Sequence, residues 1–228
     1  MTAVLSALVL ALGQLGDRRI VAVVAKSAAL TLALFVAAGT GLYFGLAAAG
    51  ARYGIDAGWA GLAAALLVPA AMWLLFRVVA MAVLQFFADE VVAAVEARHY
   101  PARAAQAQAL PLRRDLANAV RGLLRALGYN LLALPLAGLV AFTAIGPALV
   151  FLAVNAVLLG RELTDMAWLR HARSLAGGNP AGKAERFLLG ASIAGLMLVP
   201  VFGLFGPVIG AAAGTHLVLR RLEGEPTA

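Results

Sequence analysis

A glycine followed by two arginines near the start of the chain is the first pattern that could do chemistry. Gly16 lies between two apolar segments, and Arg18 and Arg19 begin the second of them. Backbone N–H groups at the start of a helix, together with the planar donor groups of arginine, suit a tetrahedral oxyanion. We therefore predict an anion site at these three residues. The alternative is that the arginines only keep this end of the following helix in the cytoplasm.

Two Gly-Pro pairs inside long uncharged runs form a second group of candidates. Proline is favoured in the first turn of a helix and disfavoured in its interior, so Gly146-Pro147 and Gly206-Pro207 each predict the start of a new helix. In transporters, broken helices direct such N-terminal ends at anionic substrates. The predicted contacts at these tips are Gly146, Ala148, Gly206 and Val208. The alternative is that each pair makes a tight tip that is buried in protein.

Patterns for catalysis and metal binding are missing from the sequence. There is no cysteine, the three histidines are scattered, and no serine has the context of a nucleophile. The segment from Gly177 to Ala184 resembles a phosphate-binding loop, but it has alanine where a hydroxyl side chain should hold magnesium, and no strand precedes it. His216 and Asn155 are polar residues within apolar runs, so they are either functional or hydrogen-bonded between helices. We predict no enzyme activity, no cofactor and no metal site.

The composition places these candidates in a membrane. With 63% apolar and 13% charged residues, the chain lies far from the composition of soluble proteins. Its 228 residues suit a single membrane domain over residues 1–228, with the lipid bilayer as its main partner. The net charge of +7 would suggest nucleic acid in a soluble protein. Here it is explained by retention of Lys and Arg on the cytoplasmic side, so no nucleic-acid partner is predicted.

The two uncharged runs determine the predicted architecture. Ala126 to Gly160 and Phe187 to Leu219 are each about 33 to 35 residues long, too long for one crossing and too short for two. Each half is about 20 Å long, which reaches part-way into a hydrocarbon layer about 30 Å thick. We interpret both as re-entrant helical hairpins, and one kinked spanning helix per run is the alternative. Gly206, Gly210 and Gly214 recur every four residues, which favours close packing over a pore lining.

The predicted fold is therefore an all-α integral membrane protein. It has two transmembrane helices, two half-penetrating helical hairpins and an N-terminal interfacial helix. The second transmembrane helix continues into the cytoplasm, where its apolar residues need a partner. Those residues are Phe86, Phe87, Val91, Val92 and Val95. The segments are an interfacial helix at 1–15, a first span at 20–51, a second span with its extension at 57–99, an amphipathic helix and hairpin at 112–173, and a second hairpin at 184–222.

This order of elements resembles the CysZ-like sulfate permeases, grouped with the etoposide-induced-protein membrane family. The local matches are Gly16-Asp17-Arg18-Arg19, Val95-Glu96-Ala97-Arg98, Ile145-Gly146, Asp165, and Pro200 with Pro207. The resemblance implies an oligomeric protein of the bacterial inner membrane that admits sulfate for sulfur assimilation. It also associates the Gly-x-Arg turn with sulfate binding, at Gly16, Arg18 and Arg19. The chain departs from the family pattern at Asp17, Ala144 and Gly203 and in having no proline near Phe86.

These observations predict a membrane anion permease or channel for sulfate. Basic residues flank both ends of both runs, so the protein should be multi-pass with its N and C termini in the cytoplasm. We predict a homo-oligomer, because the short hairpins cannot enclose a pore alone. The alternative function is a non-transporting scaffold of the inner membrane, which would shape the bilayer or bind a protein partner through the long cytoplasmic helix.

Overall fold

The computed structural model describes residues 2–56, 58–59, 61–69, 87–108, 111–143, 145–172, 178–199 and 202–224. The elements in these ranges are helices, and no strand occurs among them, which confirms the predicted all-α fold. The helices are α1 Thr2–Gly13, α2 Arg18–Arg52, α3 61–69, α4 Ala88–His99, α5 Pro101–Ala104, α6 Leu112–Leu139, α7 Gly146–His171, α8 Lys183–Met197 and α9 Gly206–Glu223. A 3-10 turn, Phe202–Phe205, leads into α9.

The helices divide into two compact units, residues 1–20 with 88–228, and residues 21–87. In the second unit, α2 carries a long uncharged stretch and comes close to α3. A Cβ built on Gly61 of α3 would lie 4.0 Å from the hydroxyl oxygen of Tyr43 in α2. Residues 57, 60 and 70–86 of the predicted second span and its extension lie outside the described residues. Phe87 is in a turn, and α4 begins directly after it.

Three of the described helices are long and apolar enough to cross a membrane. They are Arg18–Arg52, Leu116–Leu139 and Gly146–His171. The first coincides with the first predicted span. The other two contain the arms of the first predicted hairpin, each prolonged by a polar end. The chain is therefore a helical membrane protein, and the depth of its hairpins stays a prediction.

Both uncharged runs fold as two helices rather than one. α6 ends at Leu139 and α7 begins at Gly146, and the two helices pack against each other. α8 ends at Met197 and α9 begins at Gly206, again with mutual contact. In each case the Gly-Pro pair occupies the first turn of the return helix, as its fixed backbone angle favours. The alternative of a single kinked helix per run is wrong.

α9 is the centre of the first unit. Every residue from Gly206 to Leu219 is buried, and α1, α4, α7 and α8 pack around it. A helix that is apolar on all sides is suited to such a position. The α4 residues Val91, Val92 and Val95 are at most 1% exposed. These three side chains are therefore covered by other parts of the same chain, and they are not available to bind a separate partner.

Candidate functional site

The predicted anion turn lies between α1 and α2, and an aspartate within it caps α2. α1 ends at Gly13, and the Asp17 N–H donates to the carbonyl of Gln14 at 2.8 Å. The Asp17 carboxylate accepts the N–H of Arg19 at 2.9 Å. This bond satisfies one of the free donors at the start of a helix. An internal carboxylate thus occupies an amide that an incoming anion would otherwise use.

The same carboxylate connects the turn to the end of α4. Arg98 donates a hydrogen bond to Asp17, whose side chain is only 11% exposed. The hydrogen bond from the Arg19 amide, followed by that from Arg98, holds the pKa of Asp17 below its ordinary value of 3.8. Asp17 is consequently ionised at neutral pH and anchors the turn to α4.

A buried polar chain connects the turn to α9 as well. The side-chain amide of Gln14 lies 2.5 Å from Nε2 of His216, and Nδ1 of His216 lies 2.8 Å from the Tyr100 hydroxyl. Both ring nitrogens of His216 therefore have a polar partner on another part of the chain. The His99 ring packs edge-on against His216, with 5.2 Å between centroids. Gln14 and His216 are buried, so this chain holds the end of α1 against the core.

Gly16, Arg18 and Arg19 themselves face outward. All three residues are exposed, and a Cβ on Gly16 would meet no atom within 4 Å. Within the part of the chain that the structure describes, neither guanidinium group belongs to an ion pair. The three predicted residues therefore share one exposed turn that carries two positive charges not engaged in salt bridges.

The two predicted tips have different surroundings. α7 begins at Gly146, whose N–H donates to the carbonyl and hydroxyl oxygens of Thr143 at 3.1 and 2.9 Å. Ala148, in the same turn, is exposed. α9 begins at Gly206, and both Gly206 and Val208 are buried. Only the first tip presents its helix start to the surroundings.

The second tip is also distant from the predicted anion turn. Gln14 contacts α9 at His216, and about 15 Å of helix separates His216 from Gly206. At the first tip, the N–H of Leu149 in the first turn of α7 donates to the carbonyl of Ile145 at 3.1 Å. The structure thus gathers the turn residues but does not bring the second tip to them.

A buried ion cluster fixes α4 on α7 near the same end of α4. Glu96 is 1% exposed and accepts hydrogen bonds from Arg170 at 3.1 and 3.2 Å, and its carboxylate lies 3.1 Å from Nε2 of His171. A carboxylate removed from water needs such partners. The cluster positions the last turn of α4, from which Arg98 reaches Asp17 in the predicted anion turn. Among the described residues no group of side chains is suited to a metal ion.

Three contributors to the site are not predicted from the sequence. Gln14, Arg98 and Tyr100 lie at the ends of different elements, and nothing in their local patterns pairs them with the turn. The position of His216 inside an apolar run does carry a signal, and its second interpretation, a hydrogen bond between helices, is confirmed. A search for polar residues at the ends of neighbouring apolar helices could have found the rest.

Comparison with known proteins adds one finding. A family model described as Sulfate transporter CysZ/Etoposide-induced protein 2.4 matches residues 7–207. The match covers the predicted anion turn, both Gly-Pro tips and the helices from most of α1 to the start of α9. No curated protein and no solved structure matches the chain.

Proposed function

The chain belongs to the sulfate transporter CysZ/etoposide-induced protein 2.4 family, and from that premise we propose that it is an anion permease for sulfate. The family is one of transporters, and the apolar helices place the chain in a membrane. We assign that membrane to the bacterial inner membrane, with uptake serving sulfur assimilation. Both termini are cytoplasmic in this proposal, because arginines flank the ends of the apolar runs.

The observation that carries the proposal is the exposed turn with two free positive charges. Arg18 and Arg19 lie at the start of α2, a 35-residue apolar helix that is long enough to span the bilayer. A divalent oxyanion is attracted to such a pair, which can bind it through two planar sets of donors. We propose that sulfate binds at Gly16, Arg18 and Arg19 before it crosses the membrane.

Asp17 limits which donors are available at this site. Its carboxylate already accepts the Arg19 amide and the Arg98 guanidinium. A sulfate ion at the Arg19 amide would be repelled by the ionised Asp17 carboxylate. Sulfate should therefore bind through the outward guanidinium groups of Arg18 and Arg19, with Gly16 keeping that side of the turn clear of a side chain.

The tips and the oligomeric state complete the proposal. Ala148 is an exposed residue at the start of α7, so the first tip can contribute a weak second contact for the anion. An anion has less access to the other three predicted tip residues. The Gly146 amide already donates to Thr143, and Gly206 and Val208 are buried. We propose a homo-oligomer, because the short hairpins of one chain cannot enclose a pore alone.

Sulfate uptake into liposomes that contain the purified protein tests this function. Wild-type protein should carry radiolabelled sulfate inward, and Arg18→Gln with Arg19→Gln should reduce the flux by about tenfold or more, since two charge-assisted contacts are lost. Arg113→Gln with Arg114→Gln, two exposed arginines at the start of α6, removes the same charge and should leave most of the flux. Absence of flux in the wild type would refute transport. A flux that the first pair of substitutions leaves unchanged would refute only the site.

The scaffold alternative has lost part of its support. It required an unpartnered apolar face on the helix that leads to Arg98, but Val91, Val92 and Val95 are buried within the chain. Of the other two residues that the sequence placed on this face, Phe87 is partly buried and Phe86 lies outside the described residues. A stoichiometric foreign partner in a mild pull-down, together with no sulfate flux, would favour the scaffold.

A further inference from the structure

An open apolar groove runs between the two arms of the first hairpin. Its volume is about 510 Å³, within the range of ligand pockets. The lining comes from α6, α7 and one residue of α8, and Tyr129 is its only side chain with a polar atom. Among the lining residues are Leu132, Leu136, Leu149, Val157 and Phe187.

The groove must be filled at the depth where the arms lie. Water has too few polar partners there to occupy it, and an empty groove would forfeit dispersion contacts along both helices. Leu132 is 75% exposed, so the groove is open to its surroundings rather than sealed by the chain. In a bilayer the surrounding medium is hydrocarbon. The groove therefore fits an acyl chain.

Three arginines lie along the helices next to lining residues at one end of the groove, although none of them lines it. Arg125 lies one helical turn before Tyr129 on the same face of α6, and Arg161 lies one turn after Val157 on the same face of α7. Arg186 directly precedes the groove residue Phe187. A Cβ built on Gly160 would lie 1.7 Å from the Arg186 carbonyl oxygen, so Arg186 sits against α7 at this end.

Two of these three charges, Arg125 and Arg186, are not neutralised within the described part of the chain. Arg161 is paired only with Asp165 of its own helix, at 3.3 Å. Arg125 has no ion pair there, and Nε of Arg186 is buried with no hydrogen-bond partner. A buried donor without a partner is rare in folded proteins and indicates an acceptor that belongs beside it.

We propose that the groove holds an acyl chain of an anionic phospholipid whose phosphate is bound by Arg125 and Arg186. The apolar lining selects hydrocarbon but no particular head group. The arginines supply that selection, as basic pockets between membrane helices do. A second copy of the chain in the same orientation would instead bring equally basic ends together, which is unfavourable.

Native mass spectrometry of the full chain tests the head-group preference. The detergent-solubilised protein is mixed with phosphatidylglycerol or phosphatidylcholine of identical acyl chains. The anionic lipid should be retained more strongly, by about fivefold for each arginine involved. Arg125→Gln with Arg186→Gln should abolish this preference, whereas Arg113→Gln with Arg114→Gln should preserve it. Equal retention of both lipids by the wild type would overturn the proposal.

A second variant tests the groove itself and does not depend on the arginines. Ala153→Trp places a large ring in the groove and should lower retention of both lipids, while Asn155→Trp, on the exposed surface of α7, should not. Glycerol phosphate, which has the head group without a chain, should not displace the lipid. Displacement by it would assign the arginines to a free anion, and a dimer broken by Ala153→Trp would assign the groove to a second copy. Either result would overturn the proposal, and neither depends on sulfate transport.

Discussion

The two hairpins have the same sequence punctuation but opposite packing. In each, the return helix begins at the glycine of a Gly-Pro pair. α9 of the second hairpin is buried from Gly206 to Leu219, whereas α6 of the first exposes most of its leucines, among them Leu132 and Leu139 at 75% and 72%. The punctuation thus specifies a helical hairpin. It does not specify whether the hairpin becomes core or surface.

Glycine placement explains the difference. A Cβ on Gly214 of α9 would lie 2.3 Å from the carbonyl oxygen of Leu163, and one on Gly210 would lie 2.8 Å from a Leu163 methyl group. On α6, a Cβ on Gly128 or Gly138 would meet nothing within 4 Å. The stripe on α9 therefore permits close approach of α7, as its four-residue spacing predicts. The α6 glycines bring no neighbour closer.

The two hairpins also differ in how their two helices are joined at the base. Arg221 near the end of α9 donates to Glu185 near the start of α8 at 2.5 Å, which closes the base of the second hairpin. In the described part of the first hairpin no ion pair joins α6 to α7, and Arg161 pairs within α7. One hairpin is held at its base and the other is left open, at the end where we place a phospholipid head group.

The largest expected effect comes from the closest helix crossing. Gly160→Ala would place a methyl group 1.7 Å from the Arg186 carbonyl oxygen, so α7 and α8 must separate. We expect a loss of about 3 to 4 kcal/mol in the free energy of unfolding, measured in detergent. Gly128→Ala has open space and should be neutral or stabilising by about 0.5 to 1 kcal/mol. Equal effects would show that the close contact between α7 and α8 does not make Gly160 more sensitive to substitution than Gly128.

Leucine truncation gives the next largest contrast. Leu189 of α8 is fully buried, so Leu189→Ala should cost about 3 kcal/mol of unfolding free energy by leaving a cavity. Leu132→Ala, in the open groove of the first hairpin, should cost less than about 0.5 kcal/mol. Urea or SDS titrations of both variants provide the comparison. A large loss in Leu132→Ala would mean that the groove is covered in the protein's working state.

Loss of the buried ion cluster should lower the free energy of unfolding by less than the core substitutions do, but by more than the surface substitutions do. Glu96→Gln leaves Arg170 and His171 without their carboxylate, although Arg170 remains 22% exposed and can recover some hydration. We expect a loss of about 2 kcal/mol, below the full cost of breaking a buried pair. Thermal unfolding measures it, with Asp165→Asn as the control for an exposed pair. Unchanged stability would show that α4 is held on α7 by apolar contacts alone.

Breaking the Arg221–Glu185 ion pair at the base of the second hairpin should change the free energy of unfolding least. Burial opposes ionisation of Glu185, but the hydrogen bonds from Arg221 and the Gly182 amide outweigh it and lower its pKa below the ordinary 4.5. A lowered pKa stabilises the fold above the unfolded value, and this contribution disappears as the pH falls through the folded value. Glu185→Gln should therefore cost less than about 1 kcal/mol at neutral pH. It should also be less sensitive than wild type to a change from about pH 6 to about pH 3.5.

The sequence predicts the elements well because their causes are local. Uncharged length identifies the membrane class, and the Gly-Pro pairs place the starts of α7 and α9. The turn at Gly16, Arg18 and Arg19 is found from residue type and order. Its surroundings are not, because Arg98 and His216 reach it from positions far along the chain. The apolar face of α4 is predicted to need a partner, but which helix covers it depends on packing.

By itself, the sequence determined the helical membrane class, the family pattern, the two hairpins and the exposed arginine turn. These follow from hydropathy, charge and backbone constraint over short stretches of chain. Only the tertiary structure decided that Asp17 caps α2 and pairs with Arg98, that one hairpin is core, and that the other has an open groove with a basic end. Such outcomes depend on which helices meet, and in a chain this uniformly apolar the small-residue contacts between them decide it.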